Sequence, residues 1–211
     1  MEVVHFTVGP LDTNCFLVHN RDEAVVIDPG GEPSEVIAYL RKHSLKLTHI
    51  LCTHLHFDHT FGLHDLVVES GATVFASEED RFMLSNELGR GGMWGLPNVD
   101  PYDFQGIPAG DFPLLGTSCK VLLTPGHTPG GLSFYFADLA TVFAGDTLFY
   151  RSMGRFDFQG GSEAALLKSI REQLFFLPDA TVVHTGHGLS TTIGDEKRSN
   201  PYAGDFALSM L

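Results

Sequence analysis

The sequence predicts an α/β fold of two β-rich halves packed face to face with helices outside. Two observations lead there. Short runs rich in β-branched and aromatic residues give way to helical spacing of apolar residues, and this order of strands then helix occurs twice along the 211 residues. No repeat, low-complexity stretch or linker divides the chain, so residues 1–211 are expected to form a single domain.

The first half opens on three strand-like runs, 3–8, 15–19 and 24–27. Asp28-Pro29-Gly30-Gly31 then forces a turn. Residues 33–43 place Val36, Ile37 and Leu40 at helical spacing, with Ser34 and Glu35 suited to a first turn. A buried strand is expected at 48–53, running into a histidine cluster, then a helix at 60–69 and a strand at 73–76. Residues 89–113 are dense in glycine and proline and read as one long loop, either a surface crossover or a cover contacting substrate. The second half shows strands at 120–123, 132–136 and 141–144. A helix at 162–176 capped by Ser162 follows, and then a last core strand at 181–184.

Composition narrows the class. Hydrophobic residues at 43% against charged residues at 18% exclude a solvated, disordered chain. The formal net charge of −13 gives a surface that does not attract nucleic acid or anionic lipid, so neither is expected as a partner. No stretch approaches the ~20 apolar residues of a membrane span, and residues 1–10 lack the basic-then-apolar pattern of a signal peptide. Cys15, Cys52 and Cys119 are far apart, without a Cys-x-x-Cys pair, and each lies in an apolar run. Three buried thiols in a reducing, cytoplasmic compartment are expected.

The 11 histidines are the outlier, and their placement is not random. In Thr53-His54-Leu55-His56-Phe57-Asp58-His59, strand-end geometry puts His54 and His56 on one face, where they can converge on one ion. Leu55 and Phe57 then point into apolar packing, and Asp58 and His59 fall at a turn, able to face a second ion. Three later segments repeat the pattern of a ligand type after a strand: His127 in a Thr-Pro-Gly-His-Thr-Pro-Gly loop, Asp146 in Gly-Asp-Thr, and His187 in Gly-His-Gly. Any one alone reads as a satisfied core residue; together they read as metal ligands. Imidazoles with carboxylates suit zinc, iron or manganese, whereas thiolate-rich sets suit structural zinc. Five histidines and two aspartates exceed the four ligands of one tetrahedral zinc, so two divalent ions are expected, zinc first, with positions open to water and substrate. Arg151 and Arg155 follow the Asp146 strand and are candidates for binding a substrate carboxylate.

These residues resemble the metallo-β-lactamase superfamily, with Asp28-Pro29-Gly30-Gly31, His54 to His59, His127, Asp146 and His187 in the family's order. The resemblance implies a four-layer αββα sandwich of two mixed sheets flanked by helices. It also implies that His54, His56 and His127 hold one metal, that Asp58, His59 and His187 hold the other, and that Asp146 bridges. The β-lactamase branches fit less well, since one common type has Cys where Asp146 stands and another lacks that acidic ligand. Thr13-Asn14-Cys15-Phe16-Leu17, Gly145-Asp146-Thr147-Leu148-Phe149 and the segment from Thr192 to Pro201 look most like short-form glyoxalase II thioesterases. Hydrolysis of S-lactoylglutathione or a related acyl thioester is therefore implied. Arg155 stands where that family has a basic glutathione contact, but Asp157 replaces the usual aromatic hydroxyl, and no tyrosine follows His187.

The expected mechanism is attack by a metal-bridging hydroxide, with Asp58 accepting a hydrogen bond from the nucleophile. A thiolate leaving group, with a pKa near ~8.5, departs without a proton donor, which favours thioesters over amides. Gly154-Arg155-Phe156-Asp157-Phe158-Gln159 is also similar to mononuclear iron persulfide dioxygenases of the same fold, the alternative reading beside another hydrolase of the superfamily.

Overall fold

A computed structural model describes residues 1–205, the Trp94 side chain excepted. The described residues form two compact units, one of residues 1–107 with 115–117, the other of 108–114 with the described residues from Ser118 on.

The first unit is built on a six-stranded mixed sheet in the order β1-β2-β3-β4-β5-β6. Strands β1 (Glu2–Val8), β2 (Thr13–His19) and β3 (Glu23–Ile27) form an antiparallel meander. Helix α1 (Ser34–Lys42) then crosses over to β4 (Lys46–Leu51), parallel to β3, because parallel neighbours need a long connection. Glu35 in its first turn and Arg41 and Lys42 in its last complement the helix dipole, while Val36 and Leu40 enter the core with Leu17, Val26 and Ile50. A single turn, α2 (Phe57–Thr60), precedes α3 (Leu63–Ser70), which returns the chain to β5 (Thr73–Ala76), parallel to β4. The helix expected at 60–69 is α3, which begins three residues later; the turn α2 ahead of it is set apart around Gly62, where a Cβ would collide with Gly31 O.

The stretch 89–113 is not one loop. It follows a 3-10 segment at Glu78–Ser85 and takes in the end of α4 (Glu87–Arg90), the short strand β6 (Gln105–Gly106) beside β5, and β7 (Gly110–Leu114). Glycine and proline obscured these elements because pieces this short carry no readable period.

The second unit carries a six-stranded mixed sheet in the order β14-β13-β10-β9-β8-β7. Strands β8 (Thr117–Leu123), β9 (Leu132–Phe136) and β10 (Thr141–Gly145) run antiparallel. A two-stranded hairpin, β11 (Leu148–Phe149) with β12 (Ser152–Met153), comes before helix α5 (Glu163–Glu172). The expected Ser162 cap is present, its hydroxyl accepting from the Ala165 N–H at 3.3 Å. The α-helix stops at Glu172, short of the expected 176, and a 3-10 turn, Leu174–Phe176, completes it. Leu166 and Ile170 bury against Val142 and Val183, and full burial of such side chains stabilises by about 1.5–3 kcal/mol each. Strand β13 (Val182–Thr185) lies parallel to β10, followed by β14 (Thr191–Thr192) and α6 (Ile193–Ser199). Helix α6 was missed in the sequence, although its Thr192 cap, 3.1 Å from the Asp195 N–H, marks it.

Among the described residues no helix is long and apolar enough to cross a membrane. All three cysteines are buried and unbridged. Burial raises the Cys15 and Cys52 thiols above the ordinary range, with Asp28 adding to both, and pushes Cys119 up to about 12. The thiolate is the reactive form, so the folded protein is expected to resist a thiol reagent that titrates all three cysteines in denaturant. Rapid labelling of the folded chain would contradict this placement.

Candidate metal-ligand clusters

In the first unit the ligand types gather where β4 gives out. Past Leu51 the chain bends at Thr53, is extended at His56 and then turns into α2, which carries Asp58 and His59. Asp28, just after β3 and buried, governs the arrangement: its Oδ1 accepts from the Thr53 N–H at 2.7 Å, and its Oδ2 accepts from the Thr53 hydroxyl at 2.6 Å and lies 3.0 Å from His59 Nδ1. Facing a carboxylate, Nδ1 of His59 donates, which leaves Nε2 with the lone pair. The Thr53 oxygen is in turn 3.1 Å from His54 Nδ1, so His54 is oriented in the same sense.

The nitrogen His54 presents outward, Nε2, lies 3.0 Å from His56 Nδ1. Two nitrogens bound to one tetrahedral ion at ~2.0–2.1 Å stand about 3.3 Å apart, so this spacing suits a shared cation. Ligand atoms of His54 and His59, and of Asp58 and His59, also lie within 4.8 Å of each other. The expected i, i+2 pairing of His54 and His56 holds, and Leu55 is fully buried in the core opposite. Phe57 is only half-buried, because it starts α2 and does not continue the strand alternation.

The second unit gathers the remaining three. His127 sits on the loop after β8, Asp146 directly after β10, and His187 after β13, the carboxyl ends of strands where α/β sheets place their ligands. The Asp146 Oδ2 lies 3.6 Å from His127 Nε2 and 3.7 Å from His187 Nε2. His127 Nδ1 donates to the Arg155 carbonyl at 2.7 Å, which again directs Nε2 toward the acidic residue. Backbone approaches around these loops are too close for side chains: a Cβ on Gly154 would collide with Asp146 O, and one on Gly30 with Asp58 O.

Ligand chemistry and surroundings both fit divalent metal. In His54, His59 and His127 one ring nitrogen is occupied by a carboxylate, hydroxyl or carbonyl, the support typical of metal-bound imidazole. The two arginines differ. Arg155 is exposed and forks onto Asp157, with Nε–Oδ1 2.9 Å and Nη2–Oδ2 2.8 Å. This bond is the main reason the Asp157 carboxyl lies below the usual carboxylate range. Arg151 instead donates to Asp195 O at 2.7 Å and lies 3.4 Å from Glu196. Sequence reading gave Asp28 a turn and a place in the family's order of segments but no contact to the histidines, and gave the Arg155 carbonyl no role; the acidic first residue of an Asp-Pro-Gly-Gly turn was the available signal for Asp28.

Donor sets of imidazole and carboxylate at strand ends, without thiolate, belong to metal-dependent enzymes. The sequence model of the Metallo-beta-lactamase superfamily matches residues 8–187. The chain is 36% identical over 207 residues to the hydroxyacylglutathione hydrolase GloC of Haemophilus influenzae, covering 96% of this chain and 98% of that one. Among solved structures, a protein described as BLEG-1 B3 metallo-beta-lactamase superposes with a TM-score of 0.88 at 33% identity, over 96% of this chain and 99% of the other. TTHA1623, in a di-iron-bound form, does so with a TM-score of 0.85 at 38% identity, over 94% and 99%. The chain belongs to the metallo-β-lactamase superfamily, a family of metal-dependent hydrolases, and its two mixed sheets flanked by helices are that fold.

The Asp28 carboxylate accepts from the Thr53 N–H, the Thr53 hydroxyl and His59 Nδ1, so Asp28→Asn turns an amide N–H₂ against at least one of these donors. Zinc affinity, measured by chelator competition, is expected to fall about 10- to 100-fold. Unchanged affinity would reduce Asp28 to a turn residue.

Proposed function

We propose that this protein is a binuclear thioester hydrolase that cleaves S-lactoylglutathione or a related acyl thioester. His54, His56 and His127 would hold one divalent ion and Asp58, His59 and His187 the other, with Asp146 a ligand available to both. The reading rests chiefly on the near full-length likeness to a protein named a hydroxyacylglutathione hydrolase, supported by ligand chemistry at the ends of β4, β8, β10 and β13. Zinc is the first choice, and iron stands beside it because a relative of similar length is described in a di-iron form. Such ions supply Lewis acidity toward a carbonyl oxygen and water of lowered pKa.

The chain's own residues supply the rest. Asp58, whose Oδ2 lies 3.7 Å from His59 Nε2, accepts the proton-bearing side of the attacking water and holds it in line. Asp28 keeps His59 in the tautomer that can ligate, and the Arg155 carbonyl does so for His127. The thiolate leaves unprotonated, so no acid is needed on that side. Arg155, tied to His127 through its own carbonyl, is the cation available to a carboxylate on the thiol carrier. Asp157 already occupies its fork, and an exposed pair of this kind is weak enough for a substrate carboxylate to compete.

His59→Ala is expected to lower bound metal from two equivalents toward one and to suppress thioester hydrolysis by at least about a hundredfold. Wild-type hydrolysis should proceed without oxygen. Oxygen uptake with glutathione persulfide, one bound iron and no thioesterase activity would overturn the hydrolase in favour of the dioxygenase. Asp157→Asn should lower KM for S-lactoylglutathione about two- to fivefold, the range of an exposed ion pair, with kcat unchanged. An unaltered KM would remove Arg155 from the substrate contact.

A further inference from the structure

Glu196 is a charged side chain with no solvent exposure, and the mechanism makes no use of it. Its Oε1 accepts from the Thr191 hydroxyl at 2.7 Å and from Arg151 Nη1 at 3.4 Å. Its Oε2 accepts from Asn200 Nδ2 at 2.8 Å and from the Arg151 N–H at 3.1 Å. A buried carboxyl group met by this many donors is held rigidly. Two of the donors belong to Arg151, at the tip of the β11–β12 hairpin, and Asn200 Nδ2 also donates to Ser152 O at 3.0 Å. Arg151 is held there at φ +55°, unfavourable for a residue with a Cβ.

The feet of the same hairpin are metal-ligand positions. Asp146 stands two residues before β11. Gly154, directly after β12, packs on Asp146 O, and the next carbonyl, Arg155 O, fixes the His127 ring. We propose that Glu196 is a positioning residue for the metal centre: by clamping the hairpin tip it sets the feet, and so the orientation of His127 and Asp146. This rests on the metal-centre reading above. It also gives Arg151 a role different from substrate binding.

The test uses chelator-stripped protein titrated with cobalt(II), read by affinity and by visible absorption, which reports ligand geometry. The Glu196 carboxylate is met by four donors, so Glu196→Gln must turn its own N–H₂ against some of them. Its cobalt affinity is expected to fall about tenfold, with a changed spectrum. Arg151→Met, which keeps the backbone N–H, should move both readouts the same way by less, and it decides the matter if Glu196→Gln does not fold. Thr191→Val removes a donor to Glu196 without touching the hairpin, and should lower thermal stability while leaving cobalt affinity and spectrum unchanged. Wild-type cobalt behaviour in Glu196→Gln and Arg151→Met would overturn the proposal, as would a raised KM in Arg151→Met with cobalt binding intact. Wild-type protein that takes up no cobalt would instead bring down the metal-centre reading itself.

Discussion

An imidazole can ligate a metal only through a nitrogen that carries a lone pair, and its other nitrogen then carries the proton and needs an acceptor. In this chain the acceptors are fixed: the Asp28 carboxylate for His59, the Thr53 hydroxyl for His54 and the Arg155 carbonyl for His127. Asp28 is the most constrained of these. Its negative charge is nearly shut off from water and is compensated by Thr53 and His59, so turn, strand end and helical turn are locked as one piece. Losing that compensation would leave a charge stranded in the interior, which is far more unfavourable than losing one hydrogen bond.

The strands matter because they hold these acceptors still. β10 is fully buried and β4 and β13 are half so, and each ends at or close to a segment with candidate ligands, with glycines where backbone passes over backbone. A strand anchored on a core such as Val142, Val183 and Leu166 moves little, so its terminal loop inherits the strand's rigidity. The hairpin between β10 and α5 extends this support in the second unit, since it returns to the Asp146 carbonyl and carries the acceptor for His127.

Charge near the site is arranged differently. Arg155 and Asp157 form an exposed bidentate pair, adaptable to whatever carboxylate approaches, whereas Arg151 is committed to α6. Two arginines four residues apart in sequence therefore have different physical lives, one solvent-facing and exchangeable, the other holding an element in place.

The ligand types were legible in the sequence because each follows a strand and lies among small residues that only a close backbone approach explains. The long strands and α1 and α5 were legible for the same kind of reason: β-branched runs and 3.6-residue spacing are local, and burial of one face enforces them. Elements of two to four residues, α4, β6, β11 and β12, carry too few side chains to show a period. The supporting partners were out of reach for another reason. Asp28 meets His59 across 31 positions, and Arg155 meets His127 across 28. Glu196 meets Arg151 across 45. Nothing local in the chain announces such pairings. The sequence determined which groups could bind metal, and the tertiary structure decided which way each one faces, because orientation is set by a hydrogen bond to a residue distant along the chain.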